Sequence, residues 1–172
     1  MLTVIIPTRE SERALVQTLS PLVAGATAGL IAEVIVADGG SRDATEDAAE
    51  IAGCRFLRSE APLGVRLAEA AALARTPWLM FLRPGSVPEP AWVEAVEDFI
   101  RSGGQAARFR GTSRSWWDLF GLRARPEQGL LISARCYRDT GGHPPTENAE
   151  AALLRKLGRV AMLAATARPP TK

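Results

Sequence analysis

Glu33-Val34-Ile35-Val36-Ala37-Asp38-Gly39-Gly40-Ser41-Arg42-Asp43-Ala44-Thr45 joins an apolar run of strand length to an acid, two glycines and several helix-capping residues. Consecutive apolar residues suit a strand covered on both faces, as in a parallel sheet. The Asp, Gly and Ser after it predict a tight turn, with Ser41 or Asp43 available to cap a following helix. Strand, turn and helix in that order make half of a βαβ unit, and the surrounding hundred residues repeat the pattern. Strands are expected at Thr3 to Pro7, Glu33 to Ala37, Arg55 to Arg58 and Trp78 to Leu82. The first intervening helix would be capped by Ser11, carry Leu15, Thr18, Leu19 and Leu22 on one face, kink at Pro21 and end near Gly25. Further helices are expected at Asp43 to Ala52, Leu63 to Ala74 and Pro90 to Ile100. This alternation predicts an α/β fold with a mostly parallel, Rossmann-like central sheet flanked by helices.

After Ile100 the pattern loosens. Ser102-Gly103-Gly104 reads as a hinge, followed by a basic, aromatic stretch from Arg108 to Arg125. A strand at Gly129 to Ser133, a short helix to Thr140, a turn at Gly141-Gly142, a helix from Glu147 to Leu157 and a strand at Val160 to Ala164 complete the reading. At 172 residues and 47% hydrophobic content, one domain over 1–172 is expected, with no internal repeat. The net charge of +2 is too small to suggest nucleic acid. Yet residues 1–98 carry eight bases against fourteen acids, and residues 99–172 carry thirteen bases against five acids. A basic half suits an anionic ligand or membrane, or simply solvated helix faces. Cys54 and Cys136 lack metal or redox spacing and read as buried thiols of a reducing compartment. Met1 to Pro7 has neither basic leader nor cleavage site, and no apolar run approaches the ~20 residues of a membrane span, so a cytoplasmic protein is expected.

Ligands of parallel α/β sheets bind beyond the carboxyl ends of the strands. Three turns belong there: Pro7-Thr8-Arg9-Glu10-Ser11, Asp38 to Thr45, and Arg83-Pro84-Gly85-Ser86. A dinucleotide is disfavoured, because Thr8 to Glu12 has no glycine to admit a pyrophosphate. Asp38 has two readings. It could accept from the imide N–H of a uracil, with Gly39 and Gly40 allowing close backbone approach, or it could order its own loop.

The ordered set of Val4 to Thr8, Glu33 to Thr45, Leu79 to Leu82 with Pro88 downstream, Glu127-Gln128-Gly129, Gly141-Gly142 and Arg155 to Arg159 resembles the bacterial-type family 2 glycosyltransferases of A-type fold. The match is to the branch with Asp-Gly-Gly-Ser after strand two. The resemblance implies transfer of a sugar from a nucleoside-diphospho-sugar to a hydroxyl acceptor. Residues 1–100 would bind the nucleotide and 101–172 face the acceptor. It places Pro7, Thr8, Glu10, Asp38 and Gly39 at the nucleotide. Where the family holds a divalent cation, Mg or Mn, with a DxD-like motif, this chain has Arg83-Pro84-Gly85, so the usual ligand is missing. Ala68 and Ala70 also replace the family's Asn and Gly. Arg83, and more weakly Arg66, could neutralise the diphosphate instead. At the last helix Glu147 is the candidate general base, or else an acid favoured by the helix dipole, and Glu150 is a weaker substitute, while the lone His143 reads as a loop residue without a metal partner. The acceptor would be a saccharide or lipid-linked. Peripheral contact with the inner membrane face through 108–125 is one reading of that stretch, and tryptophans covering the sheet is the other. A fold-retaining binding or scaffold protein without turnover is the alternative function, favoured by the changed positions.

Overall fold

The computed structural model describes residues 1–111, 126 and 129–170. Its elements run β1 (Leu2–Thr8), α1 (Glu12–Thr27), β2 (Ile31–Asp38), α2 (Thr45–Ile51), β3 (Arg55–Arg58), α3 (Leu63–Leu73), β4 (Trp78–Phe81), β5 (Val87–Pro88), α4 (Trp92–Arg101), β6 (Ala106–Gly111), β7 (Leu130–Ser133), α5 (Ala134–Asp139), α6 (Ala149–Leu157) and β8 (Ala161–Arg168). The strands form one eight-stranded sheet in the order β3-β2-β1-β4-β7-β6-β8-β5. The first four are parallel, as expected. β7 then enters antiparallel to β4 and β6, β8 pairs parallel with β6, and β5 closes the far edge antiparallel to β8.

The continuous apolar runs of β1 and β2 follow from burial on both faces. Leu2, Val4, Ile6 and Val36 join a core that includes Leu15, Leu22, Trp92 and Val96 from α1 and α4. Ile5, Ile35 and Ala37 face the opposite core, with Leu67 from α3, Tyr137 from α5 and Leu153 from α6. Two apolar layers on one sheet make three-layer packing, each fully buried Leu or Ile contributing about 1.5–3 kcal/mol. Pro21 lies inside a continuous α1, and its carbonyl accepts from the Trp92 indole N–H at 3.1 Å.

Several boundaries depart from the expectation. The loosened stretch after Ile100 contains β6, where Ala107, Arg108 and Phe109 are all buried, so no alternation of apolar and polar residues marks it. Arg108, expected as a wet surface base, is only 5% exposed, while Arg110 is exposed. The bases at 114, 123 and 125 and Trp116 and Trp117, together with Glu127 and Gln128, lie outside the described residues. Ser11 does not cap α1 with its side chain. Its hydroxyl bonds Arg9 instead, and Asp43 accepts from Glu12 N–H at 3.1 Å across the loop. The helix expected from Glu147 begins at Ala149. Among the described residues no helix is long and apolar enough to cross a membrane.

Parallel pairing of β1, β2 and β4 brings their carboxyl ends to one rim. Close packing of α3 under the segment before α6 adds that segment to the same rim. A Cβ at Gly64 would stand 1.7 Å from the Pro144 carbonyl oxygen and 2.7 Å from the Ala149 Cβ, so only glycine allows this approach.

Candidate active site

The first two rim loops are sewn together by side chains. Asp38, fully buried at the end of β2, accepts on Oδ1 from the Thr8 hydroxyl at 2.9 Å and the Ser41 hydroxyl at 2.5 Å. Its Oδ2 accepts from the N–H groups of Gly40 at 2.8 Å and Ser41 at 2.7 Å. Burial alone would raise its pKa, but the hydrogen bonds from Ser41, Thr8 and Gly40 outweigh that and hold it below the ordinary value. Four donors fill the carboxylate's acceptor capacity, the arrangement that the loop-ordering reading of Asp38 expects. It orders its loop. Glu10, at φ 49°, donates its N–H to Ser41 Oγ and accepts from Arg42 N–H, each at 2.8 Å, so its carboxylate also serves the loops. Ser11 N–H reaches Thr45 Oγ1 at 3.0 Å. Asp43 accepts from the Thr45 hydroxyl and from the N–H groups of Glu12 and Thr45, which together lower its pKa against the opposing effect of burial.

Arg66 of α3 enters this framework from the other face. Only 8% exposed, its guanidinium donates to the carbonyls of Ala37 at 2.6 Å, Thr8 at 3.2 Å and Ala61 at 3.2 Å, bridging the ends of β1 and β2. It stands 3.1–3.3 Å from where a Cβ at Gly39 would be. The side-chain space at Gly39 is therefore taken by a guanidinium rather than left open to a ligand. Among the described residues no carboxylate pairs with Arg66 within 4.0 Å. Desolvation lowers its pKa, and the charges of Glu147 and Asp38 oppose this from a distance, with Arg9 adding to the lowering. Arg66 is thus a buried cation held by three carbonyls, with its counter-charges only at a distance.

Arg83 follows β4. Its Nε and Nη2 both donate to Glu150 Oε2, at 2.9 and 2.6 Å, and the two side chains are 35% and 10% exposed. Pro7, Thr8, Arg9, Ser11, Ala14, Leu63, Arg66, Arg83, Pro84 and Glu150 line one open cleft of about 290 Å³. Glu147 is not among them. Its carboxylate accepts from Leu63 N–H at 3.4 Å at the start of α3, and the residue is exposed. Glu147 thus caps α3, and the carboxylate among the described residues that line the cleft is Glu150. The i, i+3 spacing of the two acids leaves their relative roles open until the packing of α6 is known. Arg9 was not singled out in the sequence either, since a lone exposed arginine carries no local signal.

His143 lies in the loop after α5, as expected, but it is buried. It is 6% exposed, with Nδ1 at 2.9 Å from the Tyr137 hydroxyl and its ring edge-on to Phe81 at 4.7 Å. The Tyr137 hydroxyl oxygen also accepts from the His143 N–H at 3.2 Å, so the two side chains are joined through ring and backbone. Burial pushes the imidazole pKa down to about 4. The unfolded chain would take up this proton near its ordinary value of 6.5 and the folded chain only near 4, so stability is lost as pH falls through that window. The melting temperature should decline from pH 6.5 to 4 in the native protein and less steeply in His143→Gln; equal slopes would refute this.

The donor set of the cleft does not fit a divalent cation. Hard oxygen ligands are needed, and the lining offers one carboxylate already held by a guanidinium. Among the described residues no group of three His, Cys, Asp or Glu could hold a metal.

The fold resembles glucosyl-3-phosphoglycerate synthase from Mycobacterium tuberculosis, solved with Mn²⁺, UDP and phosphoglyceric acid. The TM-score is 0.73 at 19% identity, over 94% of this chain and 66% of that one. It also resembles S. aureus TarS 1–349, with a TM-score of 0.81 at 15% identity, over 98% of this chain and 60% of that one. The chain therefore spans about two thirds or less of the length of these structures. No curated protein matches it in sequence. The family model for glycosyl transferase family 2 matches residues 3–155, nearly the whole chain, and with the A-type architecture in place the protein belongs to that family.

Proposed function

We propose that the cleft binds a nucleoside-diphospho-sugar, with Arg66 and Arg83 as the cations for the diphosphate, and that the protein transfers the sugar to a hydroxyl acceptor. The buried, remotely balanced Arg66 at the ends of β1 and β2 is the observation that carries this reading. Pro7 and Thr8 line the nucleotide side of the cleft. The family assignment supplies the reaction class, and UDP is the natural first probe because the similar Mycobacterium tuberculosis synthase was solved with it. In the transfer, the acceptor oxygen bonds to the anomeric carbon as the bond to the diphosphate oxygen breaks. The nucleoside diphosphate leaves with the electron pair beside the arginines, and the acceptor proton passes to Glu150, the carboxylate of the cleft. Residues 1–100 supply most of the donor side and residues 101–172 supply the acid. The acceptor is a saccharide or a lipid-linked hydroxyl; burial of Arg108 weighs against a membrane contact at that position.

A second reading, binding without transfer, is favoured by the Arg83–Glu150 pair, since two guanidinium donors occupy the Oε2 that would meet the acceptor hydroxyl. Calorimetry with UDP and hydrolysis of UDP-sugars together separate the two. Binding is expected to change by less than about threefold on adding Mn²⁺ or removing it with a chelator, a difference under about 1 kcal/mol. A large chelator-sensitive gain would disprove cation-free diphosphate binding.

A further inference from the structure

We infer that Glu150 is a built-in competitor for the donor's diphosphate, so that the anion which claims Arg83 also releases the proton-accepting carboxylate. This rests on the donor-binding reading above. Arg83 spends Nε and Nη2 on a single oxygen, Glu150 Oε2, and both side chains line the cleft that also holds Arg66. Arg66 is locked by three carbonyls and has no competing carboxylate within 4.0 Å, whereas Arg83 is a third exposed and already holds an anion. The two cations are therefore unequal: Arg66 is a fixed receptor, and Arg83 is an exchangeable one. A diphosphate offers more anionic oxygens than a carboxylate in the same fork geometry and can replace Glu150 at Arg83 while touching Arg66. A nucleoside lacking phosphate cannot.

The Glu150 side chain also borders a small cavity of about 10 Å³ beside Phe81, Gly129, Leu130, His143 and Leu154, room for one water at most. Once Arg83 is claimed by the diphosphate, Glu150 Oε2 is open to an acceptor hydroxyl, so donor binding and exposure of the carboxylate become one event. Without donor, Oε2 stays occupied by the Arg83 guanidinium.

The test is a binding cycle with UDP, inorganic pyrophosphate and uridine on the native protein, Glu150→Gln, Glu150→Asp, Arg83→Ala and Arg83→Ala/Glu150→Gln. Glu150→Gln removes the competing charge and should tighten UDP and pyrophosphate by roughly fivefold at low salt, leaving uridine unchanged. Glu150→Asp, one methylene shorter, should move the same way by less and guards against a misfolded Gln variant. In the Arg83→Ala background the gain should vanish, because the cycle is then without its shared partner. UDP-sugar hydrolysis should fall in Glu150→Gln although binding improves. UDP binding by the native protein with no gain in either Glu150 variant overturns the competition alone. Absence of UDP and pyrophosphate binding in every variant overturns both it and the donor-binding reading.

Discussion

Asp38→Ala is expected to lower stability by about 4 kcal/mol, although the residue ends a strand at the ligand-binding rim. The change removes the acceptor of four donors, the buried hydroxyls of Thr8 and Ser41 and the N–H groups of Ser41 and the half-buried Gly40. Hydrogen bonds to a charged acceptor contribute about 1.5–3 kcal/mol each but are not additive within one network, which sets the figure. For a chain of this size the melting temperature should fall by roughly 8 °C or more. Asp38→Asn should fall in between, because its amide nitrogen would face donors. The same variant should lose UDP affinity by loosening the Thr8 loop, so its binding defect would not identify a contact to the base. A melting temperature unchanged within experimental error would show that the loop is ordered by something other than Asp38.

Arg66→Leu is expected to weaken UDP and pyrophosphate binding about 100-fold, the scale of one charge-assisted contact of 2–3 kcal/mol, while uridine binding changes little. Arg66→Lys should not restore it. A single ammonium cannot serve the carbonyls of Thr8, Ala37 and Ala61 and an anion at once, as the guanidinium fork does. A circular dichroism melt must accompany the titration, since those carbonyls lose their donor. Diphosphate affinity within threefold of the native value in a folded variant would remove Arg66 from the site.

The alternation of apolar strand runs with helical spacing was enough to place β1 to β4, α1 to α3 and the rim on which Thr8, Asp38 and Arg83 fall, because burial on both faces writes itself into consecutive residues. The ordered motifs also carried the family. Absence of a carboxylate at Arg83-Pro84-Gly85 was legible too, since it is a matter of residue type. Roles that depend on direction and long-range partners were not. Asp38 carries the same letters whether it faces a ligand or Ser41 and Thr8, and only the meeting of β1 with β2 decides that its carboxylate is filled. Glu147 and Glu150 are equivalent as residues three apart. The seating of α6 against α3 through Gly64 turns one to the helix end and the other to Arg83. β6 stayed hidden because Arg108 is buried between Ala107 and Phe109, so its local pattern is not that of a strand. The chain's local chemistry thus determined its elements and family. The sheet order, which sets residues dozens of positions apart within hydrogen-bond distance, decided which of its charged groups are scaffold and which remain to meet an anion.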